Sequence, residues 1–428
     1  MTVPIAVVAA AGACVRPSAK ARPALIVDTQ RAVRLADASP GAFLKPDVSI
    51  CIPAWQAEVF IGATLECARN QTYPNVRILI SIDQCSDRTA DICRELAAQD
   101  ARIVVFEQDK RLGWGGNVNF LLEKVQTPLF FFLWHDDLIG PGFIETLATA
   151  LADSPAAMSA YGNTRHFGGT NTLTVGQTFA DPVADRLIEV LTSPTLHGLS
   201  RCMMHSEIVS MGLRIPQPDG RDYYENNTAY FIKILASGPI IHVPEAEYQR
   251  RNGTGISVVD GWLRMPLERA LEGFRHNATI CMDILRDSLS DPRELEGARY
   301  CLYLFLMERL RKYERGIPDG SLTPPREVCA EFEGLHLKSV LPLFDNVQRQ
   351  RVLRAQARLH HLEGEHWFRM RQWESALASF TEAAELDPEY PPIRRAIEKV
   401  LAASSGVLPA GELASVSMRL RDGDKAGG

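Results

Sequence analysis

From Val48 onward the chain alternates short apolar runs with longer stretches whose apolar residues recur at helical spacing. VSICIPAW is a run of strand length closed at Pro53, and Val59 to Gln71 follows with Phe60, Leu65 and Ala68 on one helical face. RILISID forms a second run ending at Asp83, and QCSDRTADICREL behind it offers Ser86 or Asp87 as a helix cap. RIVVF, Arg102 to Phe106, predicts a third strand that empties into the glycine-rich RLGWGGN and a helix through Leu122. A fourth apolar run begins FFFLWHDDLIG, Phe130 to Gly140, and an amphipathic segment opens near Pro141. Strand and helix in strict alternation predict an α/β fold with a doubly wound, mostly parallel sheet and helices on both faces.

Past Ser257 the pattern changes to helical spacing alone, over Trp262 to Leu289, Pro292 to Tyr313, Val347 to Met370 and Trp373 to Leu386. The chain therefore divides into an N-terminal extension (1–46), an α/β domain (47–258), a helical domain (259–355), a helical hairpin (356–403) and a tail (404–428). The α/β part is expected to be self-sufficient, surviving a cut near Gly261. In the hairpin, Gly364, Trp367, Ala376, Phe380, Ala383 and Pro388 stand at spacings that resemble a tetratricopeptide repeat. A small Ala376 lets two helices approach, Phe380 fills the seam and Pro388 stops the second helix. One such unit cannot bury its face alone, which points to a neighbouring helix, a second copy or a protein partner.

Composition narrows the function by exclusion. Among 428 residues, 46 basic and 52 acidic side chains leave a net charge of −6, which argues against nucleic acid as a partner. Nine cysteines without a CxxC pair read as reduced thiols, and no apolar run in the body reaches the length of a transmembrane segment. The apolar VPIAVVAAAGACV near the N-terminus is short and has no Lys or Arg before it, unlike a secretion signal. A cytoplasmic protein, or one peripheral at the inner membrane, is the expectation.

The chemistry concentrates where the fourth strand ends. Asp136 and Asp137 stand side by side at the carboxyl edge of a sheet, where open α/β folds bind ligands. Adjacent carboxylates repel unless a cation or a hydrogen-bonded ligand joins them, and hard oxygen donors suit Mg²⁺ or Mn²⁺. The plainer alternative is one Asp capping a helix and the other solvated. His135 reads as their hydrogen-bonding neighbour.

In order, VSICIPAW, SIDQCSDRTADI, RLGWGGNVN, FLWHDDLIGPGFIETL and YYENNTAYFIKILASGPIIHVPEAEYQRRNGTGIS resemble the family-two glycosyltransferases, inverting enzymes of GT-A fold. The resemblance spans Val48 to Ser257. It implies that Pro53, Ala54 and Trp55 line the nucleotide, that Asp83 accepts a hydrogen bond from the base, and that Arg111, Gly113, Gly115, Gly116 and Asn117 lie near the diphosphate. It implies Asp137 as metal ligand, with Asp136 serving the ribose or a metal-bound water, and Arg250 and Arg251 as a late arginine pair over the diphosphate. Three departures stand out. Ile82 occupies the first position of the family's second-strand acidic pair. Trp134 replaces the first Asp of the commoner Asp-x-Asp-Asp motif. Asn226 and Asn227 occupy the positions of its Glu-Asp pair, which moves the expected general base to Glu225, with Asp222 as the alternative.

The resemblance implies a metal-dependent inverting transferase that takes a nucleotide sugar, most readily one linked to uridine diphosphate, and delivers it to a glycan, a lipid-linked saccharide or a protein. Two rivals are an inactive nucleotide-sugar-binding scaffold and a sugar-phosphate nucleotidyltransferase. The second would carry its phosphate loop after the first strand, where this chain reads PAWQAE.

Overall fold

The structure, a computed structural model, describes residues 45–180, 182–193, 198–217, 220, 222, 225–253, 264–315 and 322–404, with no account of the Arg326 side chain. Most of the expected extension and the expected tail lie outside these residues.

Four parallel strands appear where the apolar runs predict them: β1 (Val48–Ala54), β2 (Val76–Ile82), β3 (Ile103–Glu107) and β4 (Leu129–Phe132). Between them run α1 (Ile61–Arg69), α2 (Thr89–Ala97) and α3 (Gly113–Lys124). The remaining strands are β5 (Leu138–Ile139), β6 (Ser159–Gly168), β7 (Thr172–Thr174), β8 (Met203–His205) and β9 (Ile240–Asn252). Together they make a nine-stranded sheet in the order β3-β2-β1-β4-β8-β6-β9-β5, with β7 paired to β6. β8 is antiparallel to both β4 and β6, so the sheet is parallel in its first half and mixed beyond.

The sheet is buried on both faces because its strands alternate two apolar sets. Cys51, aligned with Leu79 and Phe132, faces one side; Ile50, aligned with Ile78 and Phe131, faces the other. On the second side sit α1, α2 and α4 (Phe143–Asp153), through Leu65, Cys93 and Leu147. On the first side sit α3, α5 (Val183–Leu191) and α7 (Thr228–Ser237), beyond a short α6 (Glu207–Ser210).

That first side is not closed by the α/β part. α8 (Leu267–Ser288) packs on α7, and α9 (Pro292–Glu314) packs on α5. After the short α10 (Pro325–Val328) and α11 (Leu337–Val340), α12 (Asn346–Arg369) packs on both α9 and α5. Phe132, Leu187 and Phe231 thus share one apolar core with Phe274, Leu306 and Leu359. The boundary expected at 258/259 therefore cuts one continuous core rather than separating two. A buried ion pair reinforces the junction, with Arg358 Nε 3.3 Å from Glu308 and its Nη2 donating to the Thr192 carbonyl at 2.6 Å.

The C-terminal hairpin has its own core. α12 and α13 (Trp373–Leu386) are joined by α14 (Pro391–Ala403) around Ala376, Phe380, Ala383, Ile393 and Ile397. Gly364 permits the close helix approach, since a Cβ there would fall 2.6 Å from the Phe380 ring. Among the described residues no helix is long and apolar enough to cross a membrane.

Candidate functional site

The residues singled out in the sequence gather at the carboxyl ends of β1, β2 and β4. Asp83, immediately after β2 and 1% exposed, is surrounded by donors. Its Oδ1 accepts from Leu112 N at 2.7 Å and Gln84 N at 3.0 Å, and its Oδ2 accepts from Gly113 N at 3.0 Å. Arg111 completes the set with Nε 3.1 Å from Oδ2, while its guanidinium lies 3.6 Å from the centre of the Trp55 ring. Trp55 and Asp83 are thus bridged by one cation.

The amino end of α3 is equally occupied. Trp114 N donates to Asp222 Oδ2 at 2.6 Å and Gly115 N donates to Oδ1 at 2.9 Å. Four successive backbone N–H groups, residues 112 to 115, end on two carboxylates of the chain itself, the arrangement that a helix N-terminus favours for anions. The glycines do permit close approach, but to Asp222: a Cβ on Gly113 would lie 2.6 Å from its Oδ2. Gly113 also has φ +75°, a left-handed backbone that suits glycine. Gly116 has a different neighbour, since a Cβ there would lie 3.0 Å from the Gln217 side chain. Asn117 is buried and braces the strand ends, donating to Ser81 O at 3.0 Å and Ala54 O at 3.4 Å. Ala54 O also accepts from Asp83 N at 2.9 Å, and His135 Nδ1 lies 3.2 Å from the Pro53 carbonyl.

The two adjacent aspartates have different fates. Asp137 is 2% exposed, and both of its oxygens are taken. Oδ1 accepts from Arg251 N at 2.7 Å; Oδ2 accepts from Tyr248 OH at 2.8 Å and faces Arg201 Nη2 at 3.4 Å. Burial nonetheless holds its carboxyl above the ordinary range, with Arg201 pulling the other way. Asp136 is half-buried, and its carboxylate has no hydrogen bond among the described residues; only its carbonyl is engaged, by Arg251 Nε at 2.9 Å. Arg251 is a clamp, its guanidinium 5.1 Å from the Phe60 ring centre and 4.5 Å from that of Phe167. Arg250 is the freer of the pair. Burial and the neighbouring Arg201 hold its pKa below that of an ordinary guanidinium, while Asp137, Tyr248 and Asp136 act in the opposite sense.

The two expected bases also differ. Asp222 is saturated, since Oδ1 further accepts from Gln217 Nε2 at 2.8 Å and Asn226 Nδ2 at 3.3 Å. Glu225 places Oε2 3.0 Å from Arg309 Nε on α9, whereas its Oε1 has no partner among the described residues. Its backbone is left-handed at φ +55°, unusual for a residue with a side chain and typical of functional sites. Asn277 Nδ2 donates to the Glu225 carbonyl at 2.8 Å and helps fix that turn.

Sequence reasoning missed Arg201, Tyr248 and His166. His166 on β6 receives Asn252 Nδ2 at 3.2 Å and sits 3.2 Å from Thr174 Oγ1, with its pKa lowered by burial and by Arg250. Tyr248 lay in view beside the arginine pair, and its aromatic ring with a polar tip was the available signal. Arg201 stands in HGLSRCMMH, which offers no pattern.

Residues 49–206 match the family model described as Glycosyl transferase family 2. Over that span the chain resembles the family. It is 24% identical over 319 residues to the "Putative glycosyltransferase EpsH" of Bacillus subtilis, a match covering 62% of this chain and 92% of EpsH. It is 36% identical over 90 residues to the Escherichia coli UDP-Glc:alpha-D-GlcNAc-diphosphoundecaprenol beta-1,3-glucosyltransferase WfaP, covering 21% of this chain and only 35% of WfaP. In fold it resembles residues 1–349 of S. aureus TarS, with a TM-score of 0.53 at 11% identity, over 81% of this chain and 93% of that one. The fold is the expected GT-A architecture followed by helices.

Proposed function

We propose that this chain is a metal-dependent inverting glycosyltransferase, moving a sugar from a nucleoside-diphosphate donor to an acceptor hydroxyl. Uridine diphosphate is the preferred carrier and a lipid-linked saccharide the preferred acceptor class, ahead of other glycans and protein side chains. The name of WfaP, a UDP-glucose transferase acting on a diphosphoundecaprenol-linked sugar, and the TarS complex with UDP-GlcNAc support that choice.

The observation that carries the reading is the open Asp136 carboxylate, half-buried beside Asp137, with Arg250 and Arg201 within reach of the pair's charge. A divalent cation fits this donor set. Asp136 offers hard oxygens, and no cluster of three or more His, Cys, Asp or Glu ligands exists among the described residues, so diphosphate oxygens and water would complete the shell. This reverses the roles expected from sequence: Asp136 becomes the ligand, and Asp137 becomes the pin that fixes β9 against the loop. Bound there, the cation would offset charge on the departing diphosphate.

The side chains supply the rest. Arg250 and Arg201 add positive charge where the leaving group gains negative charge. Glu225 Oε1, without a partner among the described residues, takes the proton as the acceptor oxygen bonds to the anomeric carbon and the bond to the diphosphate breaks. Asp222 holds the glycine-rich turn in place.

Isothermal titration of UDP with and without Mn²⁺ tests this. Asp136→Asn should keep the melting temperature and lose at least about tenfold in metal-dependent affinity, and unchanged affinity would overturn the assignment. Asp137→Asn should instead lower the melting temperature. One observation favours a second reading, a nucleotide-sugar-binding protein without transfer: Asn226 and Asn227 stand where the family it resembles has acids. Consumption of UDP-sugar by the wild-type chain with a suitable acceptor would dismiss it.

A further inference from the structure

The C-terminal hairpin carries a cleft lined by none of the sheet-edge site residues. It encloses about 390 Å³ between the end of α12 and α14, with Arg315 at the end of α9 closing one side. Arg315, Arg369, Arg395 and Lys399 line it, against a single carboxylate, Glu365. The whole chain has a net charge of −6, so a local excess of cations runs against the global balance.

Among the described residues the excess is only partly neutralised. Glu365 Oε2 pairs with Arg315 Nη2 at 3.3 Å, and Arg369 donates to the Arg315 carbonyl, which brings two guanidinium groups together around that carboxylate. Burial and the adjoining Arg315 charge both lower the Arg369 pKa. Arg395 and Lys399 are four residues apart on one face of α14, exposed, and without an ion partner among the described residues. Phe368, the buried Phe380, Pro391 and Pro392 form the apolar part of its lining.

We propose that this cleft binds an acidic peptide segment of a partner protein, its carboxylates on the four cations and an apolar side chain on the phenylalanine floor. Charge complementarity selects the carboxylates, and the aromatic floor selects a peptide over a bare polyanion, which has nothing to place there. The chain's own residues 405–428 do not have this chemistry. Their three acids, Glu412, Asp422 and Asp424, are matched by Arg419, Arg421 and Lys425.

Fluorescence anisotropy on the full chain tests it, using a fluorescein-labelled peptide of Asp and Glu around one central Phe. Saturable binding should weaken at least about tenfold in the double variant Arg395→Glu, Lys399→Glu, and should fall steeply with added salt. Replacing the peptide's Phe by Ser should weaken binding several-fold with no change to the protein. Both substituted positions are exposed, so the melting temperature and UDP binding should not move. The proposal is overturned if the wild type does not bind the peptide or if the double variant binds it equally. It is also overturned if sodium tripolyphosphate competes as well as the peptide while the Ser version binds unchanged, which marks a general anion site.

Discussion

At the edge of the sheet, negative charge is matched almost oxygen by oxygen; in the cleft of the C-terminal hairpin, two cations have no ion partner among the described residues. Asp83, Asp137 and Asp222 each receive backbone N–H donors as well as side chains, and each holds two chain segments together. Arg395 and Lys399 have no ion partner among the described residues. The contrast teaches that a charged group with all its partners inside the fold is part of the scaffold, and one without them is available to a ligand. The same distinction separates neighbours within the edge: Asp136 from Asp137, and Glu225 from Asp222.

The largest effect should come from removing what the two regions share. A chain ending at Gly261 loses α8 to α14 and strips Leu187 and Phe231 of the core they share with Phe274 and Leu306. Each large side chain left bare forfeits roughly 1.5–3 kcal/mol, and a handful exhausts a typical stability of about 5–15 kcal/mol. The fragment should not melt cooperatively. A soluble fragment that does, and that binds UDP, would show the α/β part to be self-sufficient after all.

Next in size is the comparison between the two acids near the acceptor side. Glu225→Gln should reduce turnover by on the order of a hundredfold or more with UDP affinity unchanged, while Asp222→Asn should lower the melting temperature. The reverse pattern, read from steady-state kinetics and thermal melts, would exchange their roles. Smaller again is Tyr248→Phe, which takes a hydrogen bond from the buried Asp137 Oδ2 and should cost about 1–3 kcal/mol in denaturant unfolding. Equal stability would mean that Arg201 alone satisfies that oxygen.

The smallest effect is a pH dependence at His166. Burial and Arg250 lower its pKa in the fold, so between that value and the unfolded value of about 6.5 the unfolded chain binds more protons. Its contribution is present above about 6.5 and is lost as pH falls through that window. Melting temperature against pH for the wild type and His166→Gln should diverge on the acid side, and parallel curves would refute the assignment.

These contrasts were unevenly legible in the sequence. The parallel strands β1 to β4 were plain because continuous apolar runs such as Val48–Ala54 are what a doubly covered sheet requires. The second half of the sheet was not, because β8 is three residues long and β6 runs through SAYGNTRHFG, broken by Gly162 and followed by four polar residues, Asn163 to His166. That glycine faces the Ala246 carbonyl, where a Cβ would fall at 2.0 Å, beside a register shift between β6 and β9. The sequence drew the candidate residues to one sheet edge, and the roles it implied for Asp136 and Asp137 are the ones the proposal exchanges. Two adjacent aspartates are chemically alike along the chain, and Tyr248 and Arg201 decide which one is spent. The hairpin was legible in its seam, Gly364 against Phe380, while the charged cleft beside it came from three helices that no local pattern connects.

The tether at Asp137 also sets an order of assembly. Its partners Arg201, Tyr248 and Arg251 lie 64, 111 and 114 residues away along the chain. Such distant contacts form only after long loops have closed, and loop closure must be met before the contacts reward it. During synthesis, the four parallel strands emerge with Asp136 and Asp137 on an unfastened loop. Only when β9 has been made and docked does the acidic turn acquire its final shape, so the turn is completed late, after the second half of the sheet is in place.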